Sequence, residues 1–186
     1  MTTESPAKRL PINLNDLTYA LHDSDQLGSA HYLDLNTGEI IMLTEEMRAE
    51  AESINASIET DVENYEAAFE DTLAQSAQPD WMMDGIRFAS AVEAEYGTRY
   101  IPVPLVDSHE AYEDMADFIA TITNRRIQEQ LAEAIAGRHP FRRFKDALLN
   151  FPQERERWFA FSDERQRERA LDWLESIGVQ PIEEDR

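Results

Sequence analysis

The stretch HYLDLNTGEIIML, His31 to Leu43, constrains the fold more than any other part of the chain. Two runs containing β-branched and aromatic residues flank Asn36-Thr37-Gly38. A three-residue connection ending in glycine suits a hairpin in which the glycine takes the left-handed conformation, so strands are expected near 31–35 and 39–43. A second extended segment, TRYIPVPLV, contains Pro102 and Pro104. Neither can donate a ladder hydrogen bond, which places 99–105 at a sheet edge. Most of the remainder reads as helix, so the expected fold is α+β, mostly helical, with a small antiparallel sheet.

Helical periodicity and capping residues set the other expectations. Asn15 caps a short helix through about His22, with Leu17, Ala20 and Leu21 inward. Thr44, Glu45 and Glu46 open a helix that frays across SINAS. Thr60 and Glu63 form a capping-box pattern before YEAAFEDTL, and Ile58, Val62, Tyr65, Phe69 and Leu73 recur at helical spacing as a buried stripe. Glu59, Glu63, Glu66 and Glu70 lie one residue further along, as a parallel acidic stripe. Residues 81–96 turn Met82, Ile86, Ala89, Val92 and Tyr96 inward and end at Gly97. Asp107 and Glu110 offer a second capping box, for a helix burying Tyr112, Met115, Ile119 and Ile122. Asn124 restarts the chain into a helix presenting Ile127, Leu131 and Ile135, closed by Gly137. Three short helices follow, HPFRRFKDALLNF, PQERERWFAF and SDERQRERALDWLESIG, with Pro140 and Pro152 in first turns and Gly178 as the stop. A length of 186 residues suits one compact unit. Its expected divisions are a flexible start at 1–13, a single domain over 14–180 and a tail at 181–186. Within the domain, 44–97 is an acidic helical portion and 106–178 a charge-balanced one.

The net charge of −21 is unevenly spread. Residues 1–120 carry 25 Asp and Glu against 5 Lys and Arg, whereas 121–186 carry 13 against 12. The acidic field repels nucleic acid from the first two-thirds. Arginine outnumbers lysine 15 to 2, which favours a surface adapted to salt over one that imitates nucleic acid. The chain has no cysteine, excluding disulfides, thiolate metal sites and a cysteine nucleophile. It has no apolar run of membrane-spanning length, and MTTESPAKRLPINLND lacks a signal-peptide core. The expected compartment is the cytoplasm.

Against this acidity stands GRHPFRRFKDALL, with Arg138, His139, Arg142, Arg143 and Lys145 in eight residues. On a helix from Pro140, Phe141, Phe144 and Leu148 share a core-facing side, and Arg138, Arg142 and Lys145 line a second one if the helical phase extends back. The cations either pair with the acidic first two-thirds or form an anion site, with Arg142 and Arg143 as forked donors to phosphate or to a partner's carboxylates. His139 reads as a turn residue. Residues 121–170 sum to only +3, so attraction to nucleic acid would be local and sensitive to salt. In SDERQRER, Asp163 and Glu164 fall at pairing distance from Arg167, as on a solvated helix face.

Other clusters carry weaker signals. His109, Glu110 and Glu113 make half of a zinc-protease helix motif without its second histidine. His22, Asp23, Asp25 and His31 are nitrogen and oxygen ligands without diagnostic spacing. Asp34 and Glu39 flank the hairpin turn as a candidate carboxylate pair, and no phosphate loop, nucleophile elbow or dinucleotide fingerprint is present. Trp158, Phe159, Phe161 and Trp173 lie beside the arginines of the last helices and read as core, with Phe159 and Trp173 as a packed pair.

Several phrases occur in a familiar order. They are YLDLNTGEI, RYIPVPL followed by EAYEDMADF, AIAG-x-x-x-FRRFKDAL from Ala134, RERWFAF from Arg155 and ALDWLESIGV from Ala170. Together they resemble the bacterial uncharacterised protein family 0158 over roughly 14–180, with FRRFKD as a fairly specific core. The resemblance implies a single bacterial cytoplasmic unit and brings no activity, cofactor or catalytic residue with it. The expected function is a non-enzymatic interaction or regulatory protein that meets a protein partner at 138–145, with no cofactor and no metal. The alternatives are a metal-dependent hydrolase of phosphate-containing substrates and an acidic nucleic-acid mimic.

Overall fold

Helices dominate the computed structural model, which describes residues 7–23, 28–59 and 62–182. The elements are β1 (Lys8–Leu10), α1 (Leu14–His22), β2 (Ser29–Asp34), β3 (Ile40–Thr44), α2 (Glu45–Ser57), α3 (Tyr65–Gln75), α4 (Asp80–Ala94), β4 (Tyr100–Pro102), α5 (Ser108–Ala120), α6 (Arg125–Ile135), α7 (Pro140–Leu148), α8 (Pro152–Ser176) and β5 (Val179–Pro181). The fold is α+β and mostly helical. Its contacts gather into two compact units where length alone suggested one: Met1–Pro104 with Val179–Arg186, and Leu105–Gly178. No helix among the described residues is long and apolar enough to cross a membrane.

In the first unit the hairpin forms as its glycine requires. The Gly38 N–H donates to the Asp34 carbonyl at 2.8 Å and the Asp34 N–H to the Glu39 carbonyl at 3.0 Å, with Gly38 at φ +83°. This is a bulged three-residue turn, open only to a residue that tolerates the left-handed conformation. β4 pairs antiparallel with the other side of β2, setting Pro102 opposite Tyr32 in a sheet ordered β3-β2-β4. The proline-bearing strand therefore lies at an edge. Tyr32, Ile41 and Leu43 of the sheet join Met47, Ala51 and Ile54 of α2, Phe69 and Leu73 of α3, and Met82, Ile86, Ala89 and Val92 of α4 in one core.

Several boundaries differ from the sequence reading. Asn13, not Asn15, caps α1, because its side chain accepts the N–H groups of Asn15 and Asp16. α2 continues through SINAS, where buried Ile54 holds the last turn. α3 begins at Tyr65 with Asn64 as its cap. Thr60 lies outside the described residues, while Val62 and Tyr65 are exposed, so the buried stripe shrinks to Phe69 and Leu73. Tyr96 falls beyond α4 and is exposed. Lys8–Leu10, in the expected flexible start, pairs in parallel with Val179–Pro181.

The second unit is all helix. Asp107 caps α5 through the His109 N–H, and Asn124 caps α6 through the N–H groups of Arg126 and Ile127. Met115, Phe118, Ile119, Ile122, Leu131, Ile135, Phe144 and Leu148 form the core, with Trp158 and Phe161 packed on it. Phe144 and Trp158 meet edge to face at 4.9 Å and Phe118 and Trp158 at 5.3 Å, the geometry that aromatic quadrupoles favour. The last two expected helices are one: α8 runs unbroken through Ser162 because neither Pro nor Gly interrupts 153–177. Phe159 is half exposed with the Arg155 guanidinium 6.0 Å from its ring, so it is not the core partner of Trp173.

Candidate functional site: the basic corner of α6 and α7

The corner begins where α6 stops. Ala136 ends that helix, and His139 takes φ +56°, a conformation more accessible to histidine than to most residues, before Pro140 opens α7. This reversal takes Arg138 out of the helical phase of α7, so Arg138 does not share the face of Arg142 and Lys145. Phe144 and Leu148 point into the core, whereas Phe141, expected to join them, is exposed.

Arg138, His139, Arg142, Arg143 and Lys145 are all exposed. Arg142, 86% exposed, approaches Asp146 only to 3.9 Å. Among the described residues of their own unit, Arg138, Arg143 and Lys145 have no ion-pair partner. Arg143 folds back over Gly137, where a Cβ atom would collide with its Nη1. Gly137 thus makes room for a guanidinium as well as following the end of α6. Arg143 also lines an open concavity of about 620 Å³ with Gln130, Glu133, Asp146, Asn150 and Phe151. Exposure keeps these cations hydrated and screened.

The other candidates take structural roles. Glu59 and Glu63 precede α3 and only Glu66 and Glu70 lie on it, so the acidic stripe is not one helix face. Glu70 accepts from Arg87 Nε at 2.8 Å and from Nη2 at 2.8 Å. These bonds hold its carboxyl below the ordinary range, against a smaller upward push from burial. Asp34 does not pair with Glu39. It is 2% exposed and accepts Arg99 Nε at 3.0 Å, Arg99 Nη2 at 2.8 Å and the Asn36 N–H at 2.8 Å. Burial pushes its carboxyl up, but these bonds and the Arg99 charge outweigh that and leave it lowered. His31 Nε2 meets Asp23 Oδ2 at 2.8 Å, both buried, while His22 Nδ1 lies 2.8 Å from the Thr18 carbonyl. Asp25 lies outside the described residues. His109 and Glu113 approach to 3.4 Å on an exposed face. No three His, Asp or Glu among the described residues converge as a metal site.

A model of the uncharacterised protein family UPF0158 matches residues 73–186, which contain the whole basic corner. The chain belongs to the UPF0158 family. A UPF0158 protein of Pseudomonas aeruginosa is 26% identical over 172 residues, covering 92% of this chain and 86% of that one. No solved structure matches. The UPF0158 match begins inside α3 and takes in all of the second unit, where one further constellation escaped the sequence reading. Arg169 grips Asp114 through two bonds of 2.7 Å and reaches Glu110 at 3.1 Å, while Arg165 holds Asp117 at 2.6 Å. The signal was present as arginines four apart on α8 and acids at 110, 114 and 117 on α5. Charges at helical spacing look the same whether they face water or another helix.

Proposed function

We propose that this UPF0158 chain is a non-enzymatic interaction protein that engages carboxylates of a partner protein through Arg138, Arg142, Arg143 and Lys145. The observation that carries the reading is the absence of ion-pair partners for Arg138, Arg143 and Lys145 within their own unit, in a chain where acids outnumber bases 38 to 17. Intramolecular neutralisation is the usual use of scarce cations in such a chain, and the arginines of α8 follow it. Arg143 and Lys145 of α7 do not, and Arg142 meets Asp146 only at 3.9 Å. Exposed Phe141 and Leu149 beside them supply the apolar area that a charge-steered contact needs to persist.

The test is affinity capture from the native host with the parent chain and with a variant carrying Gln at all four positions. A partner held by the parent, released by salt and lost from the folded variant supports the reading. An identical set of captured proteins from both would refute it. The variant should melt with the parent, since four exposed cations contribute little to the fold.

A further inference from the structure

The first unit carries a second surface that the basic corner does not involve. β3 is an end strand. Because the Asp34 N–H donates to the Glu39 carbonyl, the hydrogen-bonded pairs of this ladder fall at alternate positions, with Tyr32 and Ile41 next and Ala30 and Leu43 after them. The N–H and C=O groups of Ile40 and Met42 therefore point away from β2. Among the described residues they find no hydrogen-bond partner. IIMLT contains no charge, proline or bulge of the kind that normally blunts an edge.

A groove of about 550 Å³ opens beside this edge. Trp81 and Phe88 of α4 line it and are 64% and 41% exposed, and Met42, 50% exposed, lines it from β3. Three large apolar side chains left in water around one concavity mark a contact surface rather than scattered exposure. The charged groups of the lining are Asp16, Glu39 and Asp84, with no Lys or Arg among them. The unit as a whole has 23 Asp and Glu against 6 Lys and Arg, giving −17.

We infer that the open edge of β3 and this groove dock an extended, cationic segment of a partner protein. The segment adds as a strand to the backbone of Ile40 and Met42. Alternate side chains then serve two purposes: one set lies on Trp81 and Phe88, and the other brings Arg or Lys to Asp16 and Glu39, since Asp84 is already held by Arg87 at 2.9 Å. An extended chain fits because only a strand offers backbone groups at the spacing of the edge. A cationic one fits because the field attracts it, whereas a second copy of a −21 chain is repelled.

The experiment titrates the full chain, near physiological salt, with a fluorescein-labelled heptapeptide alternating arginine and valine. Two further peptides carry backbone N-methyl groups on all the arginines or on all the valines. Strand addition uses the N–H groups of one parity only, so one methylated peptide should bind about tenfold more weakly and the other like the parent. Trp81→Ala, an exposed change, should also weaken the parent peptide about tenfold, and Met42→Pro should abolish the difference between the peptides without removing a β2 bond. Equal binding of all three peptides would mean attraction by the field alone and would overturn the inference, as would an unaffected Trp81→Ala protein. Sedimentation showing a dimer of the parent that Met42→Pro dissociates would make a second copy the occupant and overturn it equally. If Met42→Pro does not fold, the methylated peptides and Trp81→Ala still decide.

Discussion

Replacing Asp34 with Asn tests the reasoning that ties the hairpin to β4. The substitution is isosteric, and Oδ1 can still accept from Asn36 N–H and Arg99 Nε, as it does now at 2.8 and 3.0 Å. The other oxygen becomes an NH₂ group facing Arg99 Nη2, at a contact now 2.8 Å long, so a charge-assisted bond turns into a meeting of donors. A lost charged hydrogen bond costs about 1.5–3 kcal/mol, and breaking a fully buried pair costs about 3–5. Arg99 is 30% exposed and can turn towards water, so the expected loss is about 2–3 kcal/mol in urea denaturation near pH 7. The pH dependence has a defined sign. The Asp34 carboxyl is held below its ordinary 3.8 in the folded chain, so its contribution is present above that value and is lost as pH falls through the folded one. The gap between parent and Asp34→Asn should therefore close in acid. A variant as stable as the parent at pH 7, or a gap that persists undiminished below pH 3, would refute the assignment.

Three further outcomes follow from other contacts. Arg169→Gln should cost about 2–3 kcal/mol in the same assay by removing both short bonds to Asp114 and leaving it only Arg165 at 3.7 Å, and Arg169→Lys should recover less than half because an ammonium cannot make the two-pronged contact. Arg87→Gln breaks a pair in which both partners are more than two-fifths exposed, so it should cost no more than about 1 kcal/mol. The Glu70 carboxyl sits below its ordinary 4.5, so that small difference should vanish as pH falls through the lowered value. Gly137→Ala should leave the melting curve within about 0.5 kcal/mol, since only the end of Arg143 must move, yet should raise the reactivity of Arg143 towards an arginine-specific dicarbonyl, read by mass spectrometry.

The sequence made the hairpin legible because its turn rests on one residue's backbone freedom, and Gly38 declares that locally. The caps at Thr44, Asp107 and Asn124 were readable for the same reason: each acts on an N–H group two or three residues away. Positions decided by distant contacts were not. Asp34 needs Arg99, 65 residues on, and nothing local distinguishes it from Glu39 across the turn. Phe141 and Phe144 fit one helical stripe, but the left-handed His139 sets how α7 meets its neighbours and leaves Phe141 in water. The basic cluster was visible as composition. The lack of ion-pair partners for Arg138, Arg143 and Lys145 within their unit was not, because pairing depends on which helices become neighbours.

The parallel pairing of Lys8–Leu10 with Val179–Pro181 bears on how the chain is made. A ribosome releases β1 early and its partner strand only after all of residues 105–178, so this pair must wait while a four-helix segment, continuous in sequence, gathers its own core. The separation adds little to the equilibrium cost of closure, which grows only with the logarithm of loop length, but it orders events in time. During synthesis β1 is a strand without a neighbour, open to cellular partners that the finished chain no longer admits. A chain halted at Gly178 would already possess each described helix but not the strand that completes the two-stranded sheet.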